Sequence, residues 1–188
     1  MAIIFPQARA LPPSKEGGRP NPFAVVSLFG QKFRTVIQRR TSDCLWDREF
    51  VFPKVMLTRT EFKLAELKVR VYNANTFTRN DLIGEFNFSL EKINSTLDDP
   101  NDMHVCDHEL YLQWVVLADP QKPQEESGYL RCTITVLTDD DKPASHPVED
   151  FKNELGAPMT TRLKSMVLIP PTIKRRNFEL TARIWKGR

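Results

Sequence analysis

Residues 71–85 read VYNANTFTRNDLIGE. Val71 and Tyr72 close a β-branched and aromatic run, a polar stretch follows, and Leu82-Ile83-Gly84-Glu85 opens a second run. The pattern predicts a strand, a loop and a second strand. A loop of this spacing holds calcium when carboxylates stand where Asn73 and Asn75 stand, because calcium gathers six to eight oxygens and binds more tightly as carboxylates accumulate. Here the candidate ligands are Asn73, Asn75 and Asp81, of which Asp81 alone is an acid. The stretch therefore sets both the fold and the main functional question: does the loop still serve a metal?

Outward from this loop the dominant signal remains strand-like. Short runs of β-branched and aromatic residues alternate with turn clusters, which predicts strands near 2–10, 23–29, 31–38, 48–53, 66–72, 83–89, 109–118 and 128–137. In ELKVRVYN, alternation turns Leu67, Val69 and Val71 inward; in GYLRCTITVLT it turns Leu130, Cys132, Ile134 and Val136 one way and Arg131, Thr133 and Thr135 the other. Phe29-Gly30-Gln31 between two runs predicts a tight hairpin turn. The helical candidate before residue 140 is a short turn over 90–97. Eight strands in this span imply an all-β antiparallel sandwich with loops at both ends. After Thr138 the chain becomes polar and Pro-bearing, which reads as a linker with a short helix near 148–155. It ends in FELTARIW, where Phe178, Leu180, Ala182 and Ile184 alternate as a further strand.

Composition narrows the class. A net charge of +3 is mild, so the placement of the charges matters more than their sum. Three cysteines, Cys44, Cys106 and Cys132, form no CxxC pair and argue for a reducing compartment over a disulfide framework. No apolar run approaches the ~20 residues that span a bilayer. The opening MAIIFPQARALPP has no basic n-region and is interrupted by Pro6, so it does not read as a signal peptide. Any membrane contact is then expected to be peripheral, or made through a membrane anchor elsewhere in a longer parent protein.

The motifs themselves carry a resemblance. NPFAVVSLFGQKFRT resembles the D-P-Y-V-x-V…K-x-K-T signature of C2 domains, TSDCLWDREFVF their T-x-N-P-x-W-N-E-x-F-x-F segment, and the opening stretch their D-x-D-x5-D-x-I-G-E loop. ELYLQWVVLADP followed by SGYLRCTITVLTDDDKP is similar to the end of the second C2 domain of ferlins. The stretch after residue 138 resembles the FerI segment that follows that domain, and the last strand resembles the start of the next one. Ferlins are large multi-C2 proteins, tail-anchored in membranes, that act in vesicle fusion and membrane repair. The resemblance implies an eight-stranded antiparallel C2-type β-sandwich of the circularly shifted, type II topology over residues 1–138. It also implies a FerI-like linker segment over 139–188 and a longer parent protein.

It further implies where calcium would bind. The first-loop acid pair falls near Lys15 and on Asn21, and the third-loop trio on Asn73, Asn75 and Asp81. Glu16 could stand in for the first-loop acid if the loop shifts by one residue, and Lys15 could instead put a cation where the metal would sit. Losing about four negative charges removes most of the attraction for calcium. The expectation is a degenerate site with no cofactor, any residual weak calcium binding resting on Asp81.

Membrane attraction survives without the metal. In QKFRTVIQRR, Lys32 and Arg34 share one strand face, with Arg39 and Arg40 beyond its end. Lys32 and Arg34 match the K-x-K-T positions of the basic face of C2 domains, where phosphoinositide headgroups can bind. Each basic residue near an anionic leaflet contributes about 1 kcal/mol. Phe77 falls at the predicted loop tip beside Arg79, a pairing suited to shallow insertion at a lipid interface. The bland readings are a solvated strand face and a Phe77 folded back on the sandwich.

Sharper chemistry finds little support. His104, Cys106, Asp107 and His108 have zinc-ligand types, but packed into one short segment they close a tetrahedron poorly. No G-x-S-x-G, phosphate loop or other nucleophile motif occurs, so an enzyme is not expected. No aromatics interleave a basic sheet face, which argues against nucleic acid. The expected function is a non-catalytic module on anionic phospholipid or phosphoinositide, at the cytoplasmic face of a vesicle or plasma membrane, in trafficking or fusion. The alternative is a module that docks on neighbouring ferlin domains or other proteins without lipid.

Overall fold

The computed structural model describes residues 1–53, 55–94, 105–106, 108–138, 141 and 167–168. The first sheet is built from β2 (Pro22–Leu28), β3 (Gln31–Arg34), β5 (Glu66–Asn73) and β6 (Asp81–Ser89), in the order β3-β2-β5-β6. The second comes from β1 (Ala2–Arg9), β4 (Cys44–Val51), β8 (Glu109–Asp119) and β9 (Lys122–Thr135), in the order β8-β9-β1-β4. A single residue pair, Glu85 with Ala118, joins the two through β6 and β8. Two short strands, β7 (Val105–Cys106) and β10 (Val167–Leu168), add to β8.

The predicted alternation is what fills the core. Leu67, Val69 and Val71 of β5 are fully buried, and Ala24, Val26 and Leu28 of β2 face the same way. From the opposite sheet come Ile3, Leu130, Cys132 and Ile134. Trp46 and Phe50 of β4 close one side, and Phe33 stacks on Phe50 with ring centroids 5.6 Å apart. Cys44 and Cys132 both pack in the core, and burial pushes the Cys44 thiol up to about 12 and raises the Cys132 thiol as well.

Two glycines act through geometry. Phe29 and Gly30 both adopt positive φ, +47° and +79°, between the paired residues Leu28 and Gln31. Positive φ at both central residues matches the twist of a two-residue hairpin. Gly84, within the opening stretch, allows the sheets to meet. A Cβ there would lie 2.9 Å from Leu117 Cβ and 3.2 Å from Ser127 Cβ, one residue before the Glu85–Ala118 bridge.

Several expected boundaries move. β3 ends at Arg34 and not at 38, because Thr35 and Gln38 then hydrogen-bond singly to Ala24 and Pro22 without a regular ladder. β4 begins at Cys44, and β9 at Lys122, ahead of the expected 48 and 128. The early part of β9 is exposed and polar and is held by the β8 hairpin, with Asp119 opposite Lys122. A helix the pattern did not predict, α1 (Arg59–Leu64), is nucleated by a capping box in which Thr58 and Glu61 bond each other's backbone N–H groups. The expected 90–97 turn is present as α2 (Leu90–Asn94), with residues 95–97 outside the described residues. Arg131 and Thr133 do face away from the core, but they are buried and not solvated. The expected helix near 148–155 and the last strand fall outside the described residues.

Candidate functional site

One end of the sandwich carries the loop of the opening stretch. β5 delivers Asn73 at its last position, and β6 begins on Asp81, its register partner. The loop 74–80 therefore projects from the end of the first sheet, facing the segment 11–21 that leads into β2. A cleft of about 220 Å³ opens between them, lined by Ser14, Glu16, Asn21, Asn73, Asn75 and Phe77 among others.

The amides in this cleft form a chain of internal hydrogen bonds. Asn21 N–H donates to Asn73 Oδ1 at 2.8 Å, and Asn73 Nδ2 donates to Asn75 Oδ1 at 2.7 Å. Asn75 Nδ2 donates to Asp81 Oδ2 and to the Arg79 carbonyl, both at 2.8 Å. Asn21 Oδ1 accepts from the Arg40 N–H at 3.0 Å. Lys15 Nζ lies 2.9 Å from Asp81 Oδ1. Each amide oxygen and both carboxylate oxygens thus already accept a hydrogen bond from the chain. Donation by Asn75, and then by Lys15, holds the Asp81 carboxyl below its ordinary value, and the Lys15 ammonium is raised by the same contact. Asn73, at 3 % exposure, anchors the chain from inside. Phe77 projects from the loop at 98 % exposure, with Arg79 exposed two residues on. It does not fold back on the sandwich.

The expected basic residues divide into two places. Lys32 and Arg34 are both exposed on the outward face of edge strand β3, opposite Ser27 and Val25. Those residues pair in turn with Lys68 and Arg70 of β5. Four cations therefore cross one sheet face in two rows, although Glu85 of β6 holds Arg70 at 2.8 Å. Arg39 and Arg40 do not continue this face. Gln38 bonds Pro22 and Thr41 bonds Pro20, so both arginines, though exposed, lie toward the Asn21 loop. Lys68 and Arg70 were missed as partners of Lys32, yet the alternation that turns Leu67, Val69 and Val71 inward also turns Lys68 and Arg70 outward.

Of the zinc-ligand types, the described residues assemble no group of three or more His, Cys, Asp or Glu side chains able to hold a metal. His104 and Asp107 lie outside the described residues. His108 Nδ1 sits 3.0 Å from the Asn94 carbonyl and its Nε2 lies 3.3 Å from Asp141. This ring links Asn94, the last residue of α2, to Asp141, which lies beyond β9. Among the described residues, no helix is long and apolar enough to cross a membrane.

A two-sheet sandwich with paired loops at one end and a basic outer sheet face is the architecture of C2 domains, and the C2 domain family matches this chain over residues 3–106. The chain belongs to that family. Its curated relatives include ferlins. Myoferlin of Xenopus tropicalis is 27 % identical over 182 residues, covering 96 % of this chain and 8 % of the relative. Human myoferlin is 29 % identical over 68 % of the chain, and Ferlin 2 of Tetrahymena thermophila 27 % over 64 %, each match spanning 6 % of the relative. The chain thus spans less than a tenth of the length of these relatives. Among solved structures, the C2A domain of plant Extended Synaptotagmin 1 aligns with a TM-score of 0.52 at 13 % identity, covering 73 % of this chain and 95 % of that one. The calcium-bound C2A and C2B domains of Extended Synaptotagmin 2 align over 71 % of this chain and 44 % of theirs, with a TM-score of 0.51 at 15 % identity. At these identities the structural likeness speaks for the fold.

Proposed function

We propose that this chain is a non-catalytic C2 module of a ferlin-like protein that binds anionic phospholipid peripherally, without requiring calcium, in vesicle trafficking or fusion. The observation that carries the reading is the outward face of the first sheet, where Lys32, Arg34, Lys68 and Arg70 lie in two adjacent rows. Such a face attracts an anionic leaflet by about 1 kcal/mol per cation within reach. Phe77 and Arg79 supply a second contact at the loop tip, where apolar area and charge add.

The calcium part of the proposal rests on the cleft. Calcium needs six to eight free oxygens and several carboxylates. At this cleft the Asp81 carboxylate is bridged to Lys15, and the Asn21, Asn73 and Asn75 oxygens are committed to N–H donors. Glu16 adds one carboxylate at the rim. This donor set does not fit the ion, and Lys15 supplies a fixed positive charge beside Asp81 instead.

The order β8-β9-β1-β4, with β1 inside its sheet, supports reading the topology as the circularly shifted type. Residues 139–188 are proposed as the FerI-like segment, in a parent protein tail-anchored and facing the cytoplasm. Co-sedimentation with liposomes of graded phosphatidylserine and phosphoinositide content, with and without calcium, tests the function. Binding that rises with lipid charge and ignores calcium is expected.

A second reading, docking on a neighbouring domain or protein without lipid, is favoured by one observation. Val36, Ile37 and Leu45 are exposed at 65 %, 47 % and 52 %. Gln38 Nε2 bonds the Leu45 carbonyl at 3.0 Å and ties the two stretches together. Liposome binding that is absent, or unaffected by reversing Lys32 and Arg34 to glutamate, would leave this reading standing.

A further inference from the structure

The second sheet has an edge that its own strands do not fill. β8 pairs with β9 along its length, from Glu109 to Asp119. Among the described residues, its other edge meets β7 at Glu109 and Leu110 and β6 at Ala118. Between them lie Trp114 and Val115, which are 6 % and 0 % exposed. A backbone N–H or C=O left unpaired at such a dry position costs about as much as a lost hydrogen bond, so this edge demands a partner.

That partner is present in the structure. β10 enters parallel to β8, with Val167 opposite Trp114 and Leu168 opposite Val115. Val167-Leu168-Ile169 is an aliphatic run with strong strand preference, and Pro170-Pro171 follows at once. The run is strand-prone and is carried by the chain after β9.

The neighbourhood gives the edge a further reason to stay covered. Trp114 lies close to two cations, with the guanidinium carbons of Arg9 and Arg131 at 5.5 and 5.7 Å from its ring. Arg131 is 4 % exposed, and its side chain donates to the Leu112 carbonyl at 3.1 Å. Cation–π attraction strengthens when water is excluded.

We infer that the Trp114–Val115 edge of β8 is a strand-acceptor site, filled in cis by the segment that carries Val167 and Leu168. The site takes an aliphatic strand in parallel register. It makes the segment after β9 part of the C2 module and gives the module one defined place to receive chain from outside its two sheets. The inference does not depend on lipid binding.

Amide hydrogen exchange on the full chain tests it. In a Val167→Pro/Leu168→Pro variant, the β8 amides within Trp114–Val116 that point away from β9 should exchange on the order of tenfold faster, the loss expected for a released backbone bond. Amides of β2 and β5 serve as the internal control that the sandwich is intact. A peptide of residues 163–172 added to the variant should restore protection, and the same peptide with prolines at 167 and 168 should not. Unchanged exchange in the variant would overturn the inference. Protection in the wild-type chain that falls on dilution would also overturn it, because the occupant would then be a second copy.

Discussion

Lys15 Nζ lies 2.9 Å from Asp81 Oδ1, while Asp81 Oδ2 accepts from Asn75 Nδ2 at 2.8 Å. An ammonium and an amide thus hold both oxygens of the one acid that survives in the third loop. Asp81 ionises more easily for this, so its contact helps the loop above the ordinary carboxylate value of 3.8 and is lost as pH falls through the lowered value. Carbon-detected NMR should find the Asp81 titration midpoint below 3.8 in the wild-type chain. In Lys15→Ala it should move upward yet stay depressed, since the Asn75 bond is the larger cause. An unmoved midpoint would mean that Lys15 does not reach Asp81 in solution.

Calcium affinity should be recoverable. Lys15→Ala with Asn21→Asp, Asn73→Asp and Asn75→Asp removes the bridging cation and supplies carboxylates at three positions. Affinity climbs with the number of ligand charges. Calorimetry should show saturable calcium binding in this variant, at least about tenfold tighter than any in the parent chain. Tight binding by the parent chain would sink the calcium-free reading.

The basic face should dominate lipid attraction. Replacing Lys32 and Arg34 by alanine removes about 2 kcal/mol, or roughly thirtyfold in partitioning to anionic liposomes. The difference should shrink with added salt, because exposed charges are screened beyond ~10 Å at 0.1 M. Arg39→Ala/Arg40→Ala should act separately, since those residues lie toward the other end of the strand. Equal losses from the two pairs would show a single diffuse field instead of a sheet face.

Phe77 contributes nothing to the packing of the fold at its 98 % exposure. Phe77→Ala should leave the thermal midpoint unchanged and weaken liposome binding severalfold, while Phe77→Trp should keep binding and report insertion by a blue-shifted emission. A lowered melting temperature in Phe77→Ala would place the ring against the sandwich.

Gly84→Ala should destabilise the chain by about 1–3 kcal/mol, the usual range for a methyl forced into a filled core. Its Cβ would meet the Leu117 and Ser127 Cβ atoms, which sit on ordered strands and cannot rotate away. Urea unfolding measures the loss, and an unchanged midpoint would mean that the sheets separate at this seam.

The sandwich was legible because its inward positions alternate without interruption. Leu67-x-Val69-x-Val71 and Leu130-x-Cys132-x-Ile134 are read the same way in sequence and structure. The Phe29-Gly30 turn was legible for a similar reason, since a glycine between two strand runs has few other uses. α1 escaped because none of its six residues is fully buried, Phe62 alone packing partly on the core, which leaves no periodic apolar mark; its signal was the Thr58–Glu61 spacing. At the cleft, residue types announced the missing charges, and Lys15 was already a candidate occupant. The path of the hydrogen bonds was not readable, because Asn21 and Asn73 are brought together only by the β2–β5 ladder. The burial of Arg131 was hidden likewise: a cation on an alternating strand reads as solvated until the surroundings of Trp114 are known.

The amide relay from Asn21 to Asp81 also fixes what single substitutions can do. An aspartate at 73 would set its new oxygen against Asn75 Oδ1 at the 2.7 Å now bridged by a donor, inside the protein, with Lys15 still facing Asp81. An aspartate at 75 would likewise face Asp81 with no proton between them. Either solitary step, at 73 or at 75, therefore lowers stability before it gains any ligand. The present loop is isolated by a mutational barrier: the changes that would reopen the cleft to a metal must arrive together.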